Sequence, residues 1–407
     1  MTYRIATANQ FDRTIDQLAQ RQYDLAKQQE RISTGKRVMK ASDDPVAATL
    51  AESAHNRMTR VQADLRALEA SKTSLQQAES GLAESGELIQ RVRDLLVSAG
   101  NASFTDAERE DVARQLEGLR EQLLAVANRT DSNGRTLYGG LGGAPTPFVD
   151  VYGPSGNGVQ FEGQRGQPAA GNTTLPQSLD GDAIWMRIPQ GNGTFTMSLP
   201  TTNTGGVSTS LGQVTDATAL TGDDYRVDFA DVGGVIQYTI TNTTTGTPVA
   251  GHAGVPYEAG KTVAFDGLSF EMSGQPNAGD RIDLAPTTGT TDIFSVVQGA
   301  IDALRYQGDG ESAQRTQALG RALTEVDAGH DRVLLARGRA GEWLNRADSM
   351  DLLMNNRSTD LELEESRLVD LDMVKGISDF KNKELALNAG LQAYASVQRM
   401  SLFDYIK

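Results

Sequence analysis

The stretch GKRVMKASDDPVAA, at positions 35–48, lies between two long helical patterns. Gly35 suits the left-handed residue that ends many helices. Lys36 and Arg37 follow it, where the negative end of a helix favours cations. One helix is therefore expected to end at this glycine, and the stretch is predicted to be a joint between two helices.

A second helix is expected to begin at the aspartates of the same stretch. Ser42, Asp43 or Asp44 can cap exposed backbone amides, and Pro45 suits the first helical turn because its missing N–H is not needed there. The alternative is a catalytic carboxylate pair, but such pairs normally face a cleft with other polar groups. Capping is therefore the favoured interpretation of Asp43 and Asp44.

The helix before the joint carries one stripe of apolar or permissive residues, because such residues, with Gln22 and Gln29 as the permissive members, fall at spacings that alternate between four and three. The apolar members of this stripe are Phe11, Ile15, Leu18, Leu25 and Ile32. After the joint, apolar residues recur at strict intervals of seven, which favours left-handed supercoiling with a neighbouring helix. This repeat consists of Val61, Leu68, Leu75, Leu82, Ile89 and Leu96.

The second row of a two-stranded zipper is weak in this helix. After Leu65 it holds Lys72, Glu79, Gly86 and Arg93. The helix is therefore predicted to lie in a bundle of several helices rather than in a simple zipper. A shorter helix follows, with an apolar face of Val112, Leu116, Leu119, Leu123 and Val126.

The composition changes between about Ala144 and Thr290, where glycine, threonine and asparagine are frequent and the helical period is lost. Short alternating or aromatic runs are separated by turn residues, and they include AIWMRI, YRVDFA, VIQYTI and LSFEMS. Such runs are typical of antiparallel strands. The segment is predicted to be an inserted β domain, either a sandwich or a barrel.

Helical patterning returns after the insertion. A second heptad row consists of Leu319, Val326, Val333, Ala340, Ala347, Met354, Leu361 and Leu368. The last helix carries Leu387, Leu391, Tyr394, Val397 and Met400 on one face, followed by Leu402 and Phe403. Because the insertion lets the chain reverse, the two halves are predicted to pair as a long antiparallel coiled-coil rod in an α+β multidomain fold. The apolar stripes of the two terminal helices are expected to await partner subunits.

Composition narrows the possible functions. The net charge of −15 argues against nucleic acid or an anionic membrane as a partner, since either needs a basic patch. Cysteine is absent, which excludes disulfides, thiolate metal sites and a cysteine nucleophile. The amino end lacks the apolar run of a secretory signal, and no stretch predicts membrane insertion.

Catalytic patterns are also missing. His55, His252 and His330 lie in separate segments without metal-binding spacing. The chain also has no GxSxG nucleophile motif with a histidine to act as its base. We therefore expect a protein that is not an enzyme, with no catalytic, cofactor-binding or metal-binding residues and no cofactor.

Three stretches resemble the bacterial flagellin family. LAKQQERISTGKRVMKASDDPVAA, at 25–48, is similar to the amino-terminal signature of flagellins and their hook-associated relatives. ANRTDSNGRTLYGG, at 127–140, resembles the turn into the variable domain of that family. The end SVQRMSLFDYI, at 396–406, is closer to a hook-associated protein than to flagellin.

The resemblance implies a structural role in the bacterial flagellum, as an adaptor ring at the hook-filament junction. The implied partners are hook-associated protein 1, flagellin, other copies of the chain in the ring, and a flagellar export chaperone. It implies an extracellular location, reached through type III export without a cleaved signal peptide. Lys36, Arg37, Asp43 and Asp44 are then expected to set the angle of the joint or to meet a neighbouring subunit, beside the two apolar faces.

The resemblance also suggests a division of the chain into five segments. These are an inner-core helix for assembly and export (1–40), two halves of a helical rod domain (41–143 and 291–378), the inserted β domain (144–290) and a second inner-core helix (379–407).

Two alternatives stay open at this point. The chain could be flagellin itself, which forms filaments with the same helices. It could instead be a flagellin-like adhesin or enzyme with an active β insertion, in which Trp185, Tyr225, Tyr238 and Tyr257 bind sugar rings. Aromatic residues that alternate in strands are more often part of a core, which favours an inert insertion.

Overall fold

The computed structural model describes residues 3–101, 103–151, 158–167, 175–287, 289–308 and 311–403, and within these ranges the side chains of residues 12–396. The chain forms two compact units. Unit 1 comprises Met1–Ala67 and Ser349–Lys407, and unit 2 comprises Leu68–Asp348.

Six α-helices contain most of the described residues. They are α1 (Tyr3–Thr34), α2 (Pro45–Ala99), α3 (Asp106–Ala127), α4 (Ile293–Arg305), α5 (Glu311–Val369) and α6 (Met373–Phe403). Helices α2 and α5 each contribute one segment to unit 1 and another to unit 2. Within the described part of the chain, no helix combines the length and apolarity needed to cross a membrane.

The strands all fall between α3 and α4. They are β1 (Phe148–Asp150), β2 (Val159–Phe161), β3 (Ile188–Pro189), β4 (Phe195–Ser198), β5 (Ser208–Thr209), β6 (Gln213–Val214), β7 (Tyr225–Val232), β8 (Val235–Asn242), β9 (Thr247–Pro248), β10 (Val255–Pro256), β11 (Lys261–Phe265), β12 (Leu268–Ser273), β13 (Arg281–Pro286) and β14 (Thr290–Thr291). All of their pairings are antiparallel. The predicted fold class, long helices from both halves of the chain around an inserted antiparallel β domain, is confirmed.

Both predicted heptad rows are buried. Every residue of the α2 row has an exposed fraction of 7% or less, and on α5 only Leu368 at the end of the row is half-buried. Apolar residues repeated every seven positions form a stripe that must be covered, and here it provides the core of the helical segments. The apolar face predicted for α3 is buried in the same way.

The weak row of α2 turns out to be a line of ion pairs in unit 2. The pairs are Lys72–Asp348 at 2.7 Å, Glu79–Arg337 at 2.9 Å and Arg93–Asp327 at 2.7 Å. Partner numbers fall on α5 as they rise on α2, so the two helices run antiparallel in this unit. Gly86 lies in the same row opposite His330, whose Nε2 would be 3.9 Å from a Cβ at that glycine.

Helix α3 begins with a capping box and packs on α4. The Thr105 hydroxyl accepts the Glu108 backbone N–H, and the Glu108 carboxylate accepts the Thr105 backbone N–H. Two orphan amides of the first turn are thereby satisfied. Arg305, the last residue of α4, binds both Glu110 and Glu117 of α3.

The inserted β domain has two larger sheets, beside the two-stranded pairs β1-β2 and β14-β3. The first has the strand order β10-β8-β7-β13-β4, with β9 beside β8, and the second has the order β11-β12-β5, with β6 also beside β12. One apolar cluster draws on both sheets, for example Val227 and Ile282 from the first and Phe270 and Met272 from the second. A core shared by two antiparallel sheets defines a sandwich, so the predicted sandwich or barrel is resolved as a sandwich.

The strand predicted for AIWMRI is wrong. Asp182–Met186 form a single π-helical turn, and only Ile188 and Pro189 continue as a short strand. Ile184, Trp185 and Ile188 are buried, which is the spacing of a helix rather than of a strand. Trp185 packs edge-on against Tyr138 and Phe148, so its place is fixed by aromatic contacts outside the sandwich.

Candidate assembly site in unit 1

The joint after α1 is closed by backbone pairing with the segment between α5 and α6. Gly35 ends α1 with a φ of 68°, as the left-handed position predicts. The backbone N–H of Arg37 donates to Val369 O at 2.7 Å, and the N–H of Leu371 donates to Gly35 O at 2.8 Å. Lys36 and Asp370 form an antiparallel bridge between these bonds. The two helix junctions of unit 1 are therefore one structural element.

Arg37 adds a side-chain link to the same element. Its Nη2 donates to Leu368 O at 2.7 Å, and its Nη1 donates to Asp44 Oδ2 at 3.1 Å. The guanidinium presents several donors in a fixed plane, which lets one side chain bind a carbonyl and a carboxylate at once. Arg37 thus connects the start of α2 to the end of α5.

Asp44 is the N-cap of α2. Its Oδ1 accepts the backbone N–H of Ala47 at 3.0 Å, and its backbone carbonyl accepts the N–H of Ala48 at 2.9 Å. Pro45 occupies the first helical position. The Ala47 amide and then Arg37 hold the pKa of Asp44 below its ordinary value. Capping is therefore confirmed for Asp44.

Asp43 has a different role from the cap that the sequence predicts. Its Oδ2 accepts the backbone N–H groups of Met39 and Lys40 at 3.2 and 3.3 Å, and its Oδ1 lies 2.7 Å from Lys27 Nζ. The hydrogen bond from Lys27 and then that from Met39 lower the pKa of Asp43 to about 2. Asp43 therefore holds the joint against α1. It is not needed as a cap, because Asp44 already accepts the Ala47 N–H at the start of α2.

Helices α1 and α6 pair antiparallel but bury little. Arg21 Nη1 donates to Ala386 O at 2.6 Å, and Gln28 Nε2 donates to Gly376 O at 3.0 Å. Of the residues of α1 and α6 whose side chains the structure describes, only Gln28 and Gly376 are buried. Because so few of their residues are buried, these two helices leave much of their apolar surface in water.

The predicted assembly residues are spread over this pair. Ile15 and Leu391 are 49% and 48% exposed. Leu18, Leu25, Ile32, Leu387 and Tyr394 are half-buried. The side chains of Phe11, Val397, Met400, Leu402 and Phe403 lie outside the described residues. The structure therefore brings Lys36, Arg37, Asp43 and Asp44 into one joint, and places the apolar candidates along the helices that extend from it.

Several exposed apolar residues near the joint were missed from the sequence. Val46 is 68% exposed on the first turn of α2, and Val374 is 82% exposed on the first turn of α6. Leu385, further along α6, is also exposed. Val46 is apolar but lies outside the seven-residue row of its helix. That position off the buried row was the sequence signal that could have identified it as exposed. Lys36 is exposed as well and lines a groove of about 560 Å³ between α2 and α5.

Two family profiles match parts of the chain. Residues 5–142 match the bacterial flagellin N-terminal helical region. Residues 199–286 match the D2-like domain of flagellar hook-associated protein 1. The first match includes the joint of unit 1, and the second lies within the β sandwich.

Whole-chain comparisons favour one kind of relative. Flagellar hook-associated protein 3 of Escherichia coli is 25% identical over 99% of this chain and 100% of its own length. A crystal structure of hook-associated protein 3 from Legionella pneumophila is 27% identical, with a TM-score of 0.68 over 78% of this chain and 97% of its own. Flagellin of Bacillus subtilis is 30% identical, but over 34% of this chain and 45% of its own length.

Proposed function

The chain belongs to the bacterial flagellin family, and from that membership we propose that it works as a structural adaptor at the flagellar hook-filament junction. The observation that carries the proposal is the extent of the match. Similarity to hook-associated protein 3 runs along 99% of the chain, whereas the flagellin of Bacillus subtilis matches about a third of it. A chain that matches hook-associated protein 3 along its whole length fits a subunit that borders the filament rather than one that builds it.

In this proposal the α1–α6 pair is the surface on which copies of the chain meet. Ile15, Leu385 and Leu391 expose apolar area to water. Association would bury this area, with a favourable free energy of roughly 25 cal/mol for each Å². Pairing α1 with α6 presents both apolar faces together, so one neighbour can cover side chains from both chain ends. Copies that repeat this contact around an axis form a closed ring.

The joint sets the direction in which that surface points. Arg37 fixes the start of α2 against the end of α5, and Asp43 fixes the joint against α1. We assign Lys36 to a contact with the adjacent copy, since its side chain is exposed beside the groove between α2 and α5. The division into inner-core helices, a helical domain and an inserted β domain belongs to the same proposal.

The partners follow from position in the flagellum. Hook-associated protein 1 is assigned to the hook side of the ring and flagellin to the filament side. Export through the flagellar type III apparatus, with a chaperone on the carboxyl-terminal helix, delivers the chain to an extracellular position. The proposal gives the chain no catalytic role and no cofactor, in keeping with relatives named as flagellar hook-associated proteins.

A deletion strain tests this function. Motility, electron microscopy of the cells and immunoblotting of the medium for flagellin are compared between the deletion strain and the same strain carrying the wild-type chain. Hooks without filaments, together with flagellin shed into the medium, are expected in the deletion strain only. Normal filaments in that strain would contradict the junction role.

Flagellin remains the second candidate, because the family profile over residues 5–142 is a flagellin profile. Purified chain that polymerises alone into long filaments would favour flagellin. A junction adaptor is expected to stay as single chains or short rings under the same conditions, and electron microscopy of negatively stained samples distinguishes the two.

A further inference from the structure

Unit 2 contains a pocket of about 270 Å³ between the end of β4 and the helices α4 and α5. Its apolar wall includes Met197, Leu199 and Ala318. Arg315 and Arg321 of α5 line the same pocket. The pocket therefore combines an apolar surface with two guanidinium groups, and it lies far along the chain from the assembly site.

Arg321 has no hydrogen bond or ion pair with any residue in the described part of the chain, although its side chain is half-buried. It also lines an adjoining pocket, of about 210 Å³, that contains Glu325. Glu325 is buried, accepts the backbone N–H of Gly191 at 2.9 Å, and has a pKa that burial raises. The backbone thus engages Glu325 Oε1, and the charge of Arg321 acts on this carboxylate without a hydrogen bond or ion pair between the two side chains, so Arg321 keeps its donors.

Arg315 is buried more deeply with little compensation. Its side chain is 12% exposed, and its ion pair with Glu311 spans 3.9 Å. Burial, followed by the proximity of Arg109, lowers the pKa of Arg315. Both effects disfavour the positive charge, and a bound anion would offset both. The one carboxylate lining this pocket, that of Asp302, accepts Gln298 Nε2 at 3.0 Å.

Gly299 of α4 keeps the space beside these arginines open. It lines the pocket in the middle of α4, and a Cβ built on it would meet no heavy atom within 4 Å. Glycine lowers helix stability at such a position. The space is therefore available to a group from outside, and it can be filled by substitution without a clash at the Cβ.

We propose that this pocket binds a carboxylate carried on an apolar stem. The two guanidiniums supply charge-assisted hydrogen bonds to the carboxylate, and the wall of Met197, Leu199 and Ala318 covers the stem. The same chemistry is present in a free short-chain carboxylic acid and in an acidic residue flanked by apolar residues on a peptide. This binding activity is independent of the junction role.

Titration calorimetry on the full chain tests the proposal with sodium hexanoate as the probe and hexylammonium chloride as the control with the opposite charge. Wild type is expected to bind hexanoate and not hexylammonium. Arg321→Gln is expected to weaken binding at least about tenfold, equivalent to about 1.4 kcal/mol. Arg339→Gln is the matched control, because Arg339 is exposed on the same helix and does not line this pocket.

A second pair of variants keeps the test valid if removal of Arg321 disturbs folding. Gly299→Leu fills the pocket and is expected to abolish hexanoate binding, whereas Gly299→Ala is expected to retain most of it. Circular dichroism at 222 nm checks that each variant is folded. Equal heats for hexanoate and hexylammonium, or unchanged binding in both Arg321→Gln and Gly299→Leu, would overturn the proposal.

The source of the carboxylate is distinguished in a further titration. An acetylated and amidated peptide, Leu-Leu-Glu, is compared with Leu-Leu-Gln and with hexanoate. Tighter binding of the glutamate peptide than of hexanoate assigns the pocket to an acidic protein segment, and the reverse order assigns it to a free acid. Failure of all three probes to bind contradicts the shared chemistry.

Discussion

Gly81→Ala is predicted to destabilise unit 2, and Tyr138→Phe is predicted to reverse the effect. Tyr138 is fully buried, and its hydroxyl donates to the backbone carbonyl of Ala78 on α2 at 2.7 Å. A Cβ at Gly81 would lie 2.3 Å from that hydroxyl oxygen. The tyrosine must therefore move and lose its hydrogen bond when alanine replaces glycine.

The magnitude follows from three contributions. Alanine in place of glycine in a helix stabilises by about 1 kcal/mol. Overpacking and the loss of the buried hydrogen bond together cost about 3 kcal/mol, which leaves a net destabilisation of about 2 kcal/mol. Tyr138→Phe alone costs about 1 kcal/mol, because one hydrogen bond is lost.

The double variant is expected to be close to wild type. Without the hydroxyl, the new Cβ meets the ring carbon Cζ at 3.4 Å and Val126 Cγ1 at 3.6 Å, which are ordinary contacts. The gain in helix stability then offsets the lost hydrogen bond. The coupling free energy between the two substitutions is therefore predicted to be about 3 kcal/mol.

Urea unfolding followed by the fluorescence of Trp185 measures this cycle, since Trp185 packs against Tyr138 with ring centroids 4.7 Å apart. A Trp343→Phe background leaves Trp185 as the only tryptophan of the chain. Gly118→Ala is the matched control, because its Cβ would meet nothing within 4 Å and the change is expected to stabilise. A coupling free energy near zero, or a Gly81→Ala variant as stable as the control, would refute the reasoning.

Three further predictions concern the joint, the assembly surface and the pocket. The pKa of Asp43 is about 2 in the folded chain, against an ordinary value of 3.8. The contribution of its ionised carboxylate to stability is therefore complete above pH 3.8 and is lost as the pH falls through 2. Acid unfolding followed by circular dichroism at 222 nm should show this loss in wild type and not in Asp43→Asn. Ile15→Asp should abolish filament attachment in the complemented deletion strain while the melting temperature of the purified chain stays unchanged, and unaltered attachment would contradict the assembly role of α1. Gly299→Ala should raise the free energy of unfolding by about 0.5–1 kcal/mol in urea titrations, and a decrease would show that the space beside α4 is not open.

Much of the helical architecture was predictable because a buried stripe on a long helix imposes its period on the sequence. The rows through Leu75 and Val333 show this, since apolar residues recur wherever the stripe is covered. The charged row through Glu79 forms ion pairs that were not predictable in this way. Its meaning depends on Arg337, which lies 258 positions away, and a period within one helix carries no information about the residue opposite.

The candidate site divides in the same way. The cap at Asp44 was predictable, because an N-cap acts on amides two or three positions later. The bonds from Arg37 to Leu368 and Val369 were not, because they link distant segments whose backbone carbonyls have no sequence signature. Asp43 was misassigned for a related reason, since its partner Lys27 lies on the preceding helix.

The closed joint also dictates the order in which the chain can fold. Arg37 and Leu368 are separated by 331 positions, so the contacts that hold the start of the chain cannot form until nearly all of it has left the ribosome. Closing so large a loop is slow, because its entropy is lost before any contact compensates for it. During most of its synthesis α1 therefore lacks its partner helix α6, and it stays open to any factor that captures unfolded chains.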